Sequence, residues 1–174
     1  MTDRLKALIH EYRPTMDEDI VHSWAGDITA ALEVHLQFDN PTPIAVMMQE
    51  VYIPNGRRGL LLIQRPDNLG WAFPSGYVET GLDSSAENAA AREFGEEVGV
   101  SVIPGYLCRS EITPAGKIML FVRSVQSLPI TVFNNWNPTK EALDARVAFE
   151  PEDLVFPTHT EAMKLWFQYQ EMAV

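Results

Sequence analysis

Four glutamates lie close together in an alanine-rich stretch of the 174-residue chain: Glu87, Glu93, Glu96 and Glu97. The stretch 86–98 contains no run of β-branched residues, so we expect a helix. On this helix Glu93 and Glu97 are one turn apart on the same face, where like charges repel each other. Hard divalent cations such as Mg²⁺ and Mn²⁺ prefer groups of carboxylate oxygens. The cluster therefore favours a metal site, with a solvated charged surface as the alternative.

The ends of this helix also have recognisable residues. Ser84 is the predicted N-cap, because Glu87 stands three residues later as a capping-box partner. Gly99 is the predicted C-terminal stop, since glycine readily adopts the left-handed conformation found there. These signals place the helix at Ala86 to Val98.

The residues around the glutamates follow a spaced pattern. Gly76 precedes the helix, and Arg92 to Val100 reads REFGEEVGV. This pattern resembles the Nudix box of the Nudix hydrolase family: Gly, five residues, Glu, seven residues, then Arg-Glu-aliphatic-any-Glu-Glu-any-Gly-aliphatic. The second half matches throughout if Phe94 is accepted as the aliphatic residue. The first half departs from the pattern, because Leu82 stands where its glutamate should be and two extra residues follow Gly81.

The resemblance implies roles for individual residues. Glu93 and Glu97 match the principal metal ligands of the family, Glu96 matches a glutamate close to the metal, and the carbonyl of Gly76 matches a further ligand. Arg92 matches the arginine that pairs with the carboxylate at Glu96. The family's general base varies between a box glutamate, for which Glu96 is the catalytic candidate here, and a carboxylate from a later loop, for which Glu141 is the first candidate, followed by Asp144 and Glu152. The implied cofactor is Mg²⁺ or Mn²⁺.

The missing box glutamate has an expected consequence. In the family this residue orients its neighbours in the outer metal environment, and losses of that kind cost about 10–100-fold in metal affinity or activity. Asp83 is the candidate to replace part of the lost charge. We therefore expect an activity that is reduced but present.

The rest of the chain predicts an α/β fold, a Nudix-type α/β/α sandwich with a central mixed sheet. The expected domains are an N-terminal helical extension, 1–40, and a Nudix domain, 41–174. Strands are predicted at 44–53, 59–64, 100–103, 106–112 and 117–125, with a terminal helix at 160–172. Cys108 is expected to fill the core, His159 is a modest active-site candidate, and Trp136 could stack on a nucleobase or pack under its loop.

The net charge, the cysteine count and the length of the apolar runs limit the kinds of partner that the protein is expected to bind. The formal net charge of −11, with 13 Lys and Arg, argues against binding to long nucleic acid. The single cysteine excludes an intramolecular disulfide, and no apolar run reaches membrane-spanning length, so we expect a cytoplasmic protein that does not bind membranes. The N-terminal helices are candidates for a homodimer contact.

The expected function is metal-dependent hydrolysis of the diphosphate linkage in a nucleoside diphosphate derivative, such as ADP-ribose or a nucleotide sugar, with a nucleoside triphosphate as a further candidate. The alternative is a Nudix-fold module that senses a nucleotide without cleaving it. Retention of both Glu93 and Glu97 favours the pyrophosphohydrolase. RNA decapping is a third interpretation, which the acidic charge disfavours.

Overall fold

The computed structural model describes residues 2–12, 15–37 and 41–172. The chain divides into two compact units, Met1–Asn40 and Pro41–Val174. In the first unit, helices α1 (Thr2–Tyr12) and α2 (Glu18–Gln37) contact each other. None of the helices within the described ranges has the length and apolarity needed to cross a membrane.

The second unit contains nine strands and two α-helices among its described residues. The strands are β1 (Thr42–Met48), β2 (Glu50–Tyr52), β3 (Arg58–Gln64), β4 (Trp71–Ala72), β5 (Ser75–Tyr77), β6 (Tyr106–Ile112), β7 (Lys117–Arg123), β8 (Leu128–Pro129) and β9 (Asp144–Ala148). The helices are α3 (Ala86–Val98) and α4 (Pro157–Met172), and a short 3₁₀ helix spans Ile130–Phe133.

The strands form two mixed sheets. One sheet has the order β5-β1-β7-β6, with β1 parallel to β7 and the other pairs antiparallel. The other has the order β4-β3-β2-β8, and β9 pairs with β3. This arrangement agrees with the mixed α/β architecture that the sequence predicts.

Alternate residues of the strands face opposite helices, as the period of two requires. Ala45 and Met47 pack with Phe94 of α3, in one core cluster. Val46 and Met48 pack with Trp166 of α4, in the second cluster. The sheets therefore lie between α3 and α4, as an α/β/α sandwich.

Two predicted strands differ from the structure. The run 44–53 is not one strand, because the chain changes sheets at Gln49, whose buried side-chain amide donates to the carbonyls of Glu50 and Gln126. The run 100–103 forms no strand. Val100 and Val102 instead pack against the core cluster beneath α3.

Candidate active site

Helix α3 carries the glutamates, and both of its ends are capped. Ser85 has an extended backbone, and its Oγ accepts a hydrogen bond from Asn88 N at 3.2 Å. The predicted N-cap, Ser84, is therefore wrong by one residue; its hydroxyl bonds to the side-chain amide of Asn88. Gly99 ends the helix with φ 74°, as predicted.

Glu93 lies directly against the backbone of Gly76. A Cβ placed on Gly76 would be 2.0 Å from Cδ of Glu93 and 2.2 and 2.3 Å from its two carboxylate oxygens. Only glycine leaves room for this carboxylate, which is 8% exposed. Burial raises the pKa of Glu93, while the neighbouring Arg92 opposes the shift. The structure thus brings together strand β5 and helix α3 at two residues that the sequence singles out.

Glu97 is more deeply buried, with 3% of its surface exposed. Its Oε2 accepts a hydrogen bond from Ser75 N at 2.8 Å, which ties α3 to β5 a second time. Burial raises the pKa of Glu97 to about 8. Desolvation disfavours the charged form of this carboxylate, Arg65 opposes the shift, and a bound divalent ion would offset it further.

Arg92 is held chiefly by Asp83, while the predicted pair with Glu96 is present at a longer distance. Arg92 Nε donates to Asp83 Oδ1 at 3.0 Å and Nη2 donates to Oδ2 at 2.9 Å, a bidentate pair. Nη1 donates to Glu93 Oε1 at 2.8 Å, whereas both Glu96 oxygens are 3.4 Å away. Nη2 also donates to the carbonyl of Tyr77 at 3.0 Å. Arg92 therefore connects the lengthened loop to β5 and to Glu93.

The side chain of Asp83 is buried beside Arg92. It is 2% exposed, and Oδ2 also accepts from Glu79 N at 2.8 Å. The hydrogen bonds from Arg92 hold the pKa of Asp83 below its usual value. The carboxylate of Glu79 itself lies outside the carboxylate group described next.

Three carboxylates converge at the surface of α3. One oxygen each from Glu93, Glu96 and Glu141 lies within 4.8 Å of the other two. Ligand oxygens on opposite sides of Mg²⁺ are about 4.2 Å apart, so this all-oxygen group fits a hard divalent cation. Glu97, held by Ser75, is not one of these three.

Glu141 reaches the cluster from the loop before β9. Thr139 Oγ1 accepts from Glu141 N at 3.2 Å and from Ala142 N at 2.9 Å, and it donates to the carbonyl of Glu97 at 3.2 Å. Thr139 thereby fixes the loop to the end of α3. Lys140 lies 3.2 Å from the Glu141 carboxylate. Sequence reasoning missed Thr139, whose only signal is that it precedes Glu141.

The other later acids are placed differently. Glu152 accepts a hydrogen bond from Arg146 Nη2 at 2.5 Å. Asp144 is exposed, and its Oδ1 accepts a hydrogen bond from the backbone N–H of Ala145. Neither belongs to the three-carboxylate cluster.

A cavity of about 610 Å³, the proximal cavity, opens beside β5. Its walls include Arg65, Ser75, Gly76, Tyr77, Lys117 and Phe156. Lys117 lies over the ring of Tyr77, 5.0 Å from its centroid, and Arg65 lies 5.5 Å from that of Phe156. Ser75 and Gly76 line the cavity and also contact Glu97 and Glu93, but none of the clustered carboxylates is among the lining residues. Ile44 and Met119 place the cavity on the α4 side of the sheet, so the edge strand β5 lies between the cavity and the carboxylates on α3. Sequence reasoning missed Tyr77 and Lys117, which carry no motif.

His159 borders this cavity but does not have the properties of an acid or base. It is fully buried among the rings of Phe73, Phe121 and Phe156, and its Nδ1 accepts from Phe73 N at 3.2 Å. Burial lowers the pKa of His159 to about 3, so the imidazole is neutral near pH 7.

The structure also places Trp136 and Cys108, the aromatic residue and the cysteine considered in the sequence. Trp136 packs, partly buried, against the core cluster beneath α3, and its Nε1 is buried. Cys108 is exposed, contrary to the expected core position, because a register shift between Leu107 and Arg109 places it at a bulge in β6.

The fold and the site can be compared with known proteins. The family model of the NUDIX domain matches residues 41–172. No curated protein matches the chain. Solved structures do match, at identities that establish a likeness of fold alone.

A NUDIX hydrolase from Nitrosomonas europaea has a TM-score of 0.59 and 20% identity, covering 78% of this chain and 74% of its own. The NUDIX domain of Shewanella oneidensis NrtR, complexed with ADP ribose, has a TM-score of 0.58 and 14% identity, covering 92% and 97%. An Ap4A hydrolase from C. elegans, in a binary complex, has a TM-score of 0.56 and 18% identity, covering 75% and 99%. With a family model that spans most of its length and a glutamate-bearing helix at the expected place, the chain belongs to the Nudix family.

Proposed function

We propose that this Nudix protein is a metal-dependent hydrolase that cleaves the diphosphate linkage of a nucleoside diphosphate derivative. The observation that carries the proposal is the convergence of Glu93, Glu96 and Glu141 at the surface of α3. Carboxylate oxygens from two separate segments meet there, and a space that can hold a nucleotide, the proximal cavity, lies on the other side of the edge strand β5. A solvated charged surface would not require the tight contact between Glu93 and Gly76.

The proposed ligands of Mg²⁺ or Mn²⁺ are Glu93, Glu96 and Glu97, with the carbonyl of Gly76 and with Glu141 from the loop. The bound cation would offset phosphate charge and lower the pKa of a water molecule. Arg92 keeps Glu93 in position, since it donates to that carboxylate while Asp83 holds the other edge of the guanidinium. Ser75 N does the same for Glu97.

In the reaction, the oxygen of water bonds to one phosphorus, and the bridging P–O bond breaks. The bridging oxygen leaves with the second phosphate, and a carboxylate accepts the proton of the water. Glu141 is our candidate for this general base, because its loop position lets it face both the cluster and solvent. Glu96, half exposed at 52%, is the alternative from within the box.

The proximal cavity is the proposed site of the nucleotide. Arg65 and Lys117 bring positive charge to a cavity whose lining also includes Glu111 and Glu161, in a protein whose net charge of −11 would otherwise repel phosphates. Tyr77 and Phe156 offer aromatic surface for the remaining part of the substrate. One structural neighbour holds ADP ribose and another is an Ap4A hydrolase, which supports a nucleotide substrate for this chain.

A substrate panel tests the proposal. ADP-ribose, nucleotide sugars, dinucleoside polyphosphates and nucleoside triphosphates are incubated with Mg²⁺ or Mn²⁺, and product release is measured. We expect at least one nucleoside diphosphate derivative to be cleaved only when metal is present.

The competing function is nucleotide sensing. Calorimetry that detects tight binding of ADP-ribose without any turnover would establish the sensor and reject the hydrolase.

A further inference from the structure

A second cavity, the distal cavity, lies between the later turns of α4 and the strands β1, β7 and β6. Its volume is about 260 Å³, and its walls include Met48, Arg109, Arg123, Leu165, Trp166 and Tyr169. It shares no lining residue with the proximal cavity. Nothing in the proposed hydrolytic reaction uses it.

The strand register directs two arginines toward this space. Arg109 of β6 lies opposite Phe121 of β7, so the two side chains share one face of the sheet. Phe121 belongs to the core cluster beneath α4, and Arg123 is two residues further along the same strand. Both guanidinium groups therefore lie on the side of the sheet that α4 covers, where apolar residues are the norm.

These arginines have few partners. Arg109 Nη2 donates to Glu111 at 2.7 Å, but its Nε is buried without an acceptor. Arg123 approaches only Glu50, at 3.8 Å, and makes no side-chain hydrogen bond to any described residue. Arg58 binds Glu50 through Oε1 at 3.0 Å, while Oε2, the oxygen nearest to Arg123, has no hydrogen bond to a described residue. A guanidinium has five N–H donors, and hydrogen bonds to described residues use one donor of Arg109 and none of Arg123, whose side chains are 34% and 32% exposed.

The helix adds a further donor. Trp166 is 4% exposed, and its Nε1 is buried with no acceptor among the residues that the structure describes. A buried donor without an acceptor is unfavourable, and a bound acceptor would remove this cost. The remaining walls offer mainly carbon surface and no carboxylate; they come from Met48, Cys108, Ala162, Leu165 and Tyr169. The cavity thus combines surplus donors with apolar walls.

We propose that the distal cavity binds a small organic carboxylate with an apolar body. A carboxylate accepts hydrogen bonds from arginine in a planar, bidentate manner and has oxygens to spare for an indole N–H. The apolar walls suit the carbon skeleton, whereas inorganic phosphate has none to bury. The volume equals roughly eight or nine water molecules, which limits the ligand to the size of a single ring or a short chain.

Benzoate is a suitable probe, and benzamide is its neutral counterpart of the same shape. We expect calorimetry to show saturable binding of benzoate and binding of benzamide that is at least about tenfold weaker, because only benzoate offers a charged acceptor. In a ¹H–¹⁵N spectrum, benzoate should shift the indole N–H signal of Trp166 and leave that of Trp71, which does not line the cavity, unchanged.

Three variants make the test specific. Arg123→Gln should weaken benzoate binding by about tenfold or more. Arg57→Gln is the matched control, since Arg57 is an exposed arginine paired with Glu150 and does not line the cavity. Leu165→Trp adds bulk at a partly exposed helical position that lines the cavity, so it should abolish binding without loss of folding; it covers the case in which Arg123→Gln fails to fold. Absence of benzoate binding, equal binding of benzamide, or binding that survives Leu165→Trp overturns the proposal.

Discussion

Asp83 and Arg92 form a bidentate ion pair, with Nε–Oδ1 and Nη2–Oδ2 distances of 3.0 and 2.9 Å. The family pattern would place a glutamate six residues after Gly76, where this chain has Leu82, an exposed residue. The longer loop instead brings in an aspartate one position later and turns it onto the box arginine. Asp83 thus supplies an acid one position after the glutamate that the pattern expects, and its buried carboxylate holds Arg92 in place.

Asp83→Asn should lower the hydrolytic rate by about 10–100-fold, the usual cost of losing a group that orients metal ligands. It should also lower the free energy of unfolding by about 1–3 kcal/mol, because Arg92 loses a charged acceptor. Steady-state kinetics and urea unfolding measure the two effects. Asp153→Asn, at an exposed aspartate 3.4 Å from Lys164, is the control and should change neither quantity appreciably. Equal behaviour of the two variants would contradict the positioning role of Asp83.

Gly76→Ala should reduce activity by about 100-fold or more, because the new methyl group would overlap the Glu93 carboxylate and displace it. Gly95→Ala provides a matched comparison on the same helix. A methyl group added at Gly95 would meet no heavy atom of a neighbouring segment within 4 Å, so alanine there should keep activity and stabilise α3 by about 0.5–1 kcal/mol. Activity assays and thermal unfolding of both variants make the comparison. A fully active Gly76→Ala would show that the contact with Glu93 is unimportant.

Ser85→Ala should lower the free energy of unfolding by about 1 kcal/mol, since the N-cap hydrogen bond to Asn88 N is lost. Ser84→Ala should have a smaller effect, because Ser84 bonds to a side chain and not to a free backbone N–H of the helix. Urea unfolding of both variants compares the two losses in free energy of unfolding. A larger loss for Ser84→Ala than for Ser85→Ala would show that Ser84 is the N-cap.

His159 should make the protein less stable at mildly acidic pH. Below about pH 6.5 the unfolded chain gains a proton on this imidazole, while the folded chain does not until about pH 3. The free energy of unfolding should therefore fall as the pH falls, by up to about 1.4 kcal/mol per pH unit within this range. His159→Asn can still accept from Phe73 N but does not titrate. Urea unfolding at pH 7 and pH 5 should show about 2 kcal/mol less acid sensitivity in this variant, and an unchanged pH dependence would count against a buried neutral imidazole.

Local signals predicted the parts of the site that depend on neighbours in sequence. Helix α3 has the predicted bounds, Ala86–Val98, because alanine and glutamate favour helix and Gly99 ends it. The β2–β3 hairpin likewise follows from the turn residues Pro54-Asn55-Gly56. These features need no contact between distant segments.

The features that were missed depend on contacts between distant segments. The break at Gln49 rests on a hydrogen bond to Gln126, which is 77 residues away, so the apolar run around it looks continuous. The Asp83–Arg92 pair spans nine residues across a loop whose shape no motif encodes. Cys108 is exposed at a bulge in β6, which alternation of apolar residues cannot reveal. The roles of Glu93, Glu96, Glu97 and Glu141 in binding metal stay predictions.

The most direct measurement follows ADP-ribose by ³¹P NMR during incubation with Mg²⁺, using the natural protein and the Glu93→Gln and Glu97→Gln variants. The proposed mechanism predicts AMP and ribose 5-phosphate with the natural protein and no products when Mg²⁺ is chelated. It predicts rates lowered by more than about 100-fold in both variants, because losing a residue that binds the metal directly costs more activity than losing a residue that orients a metal ligand. If ADP-ribose is inert, the other substrates of the panel are measured in the same way. Metal-independent cleavage, or variants as active as the natural protein, would contradict hydrolysis at this carboxylate cluster.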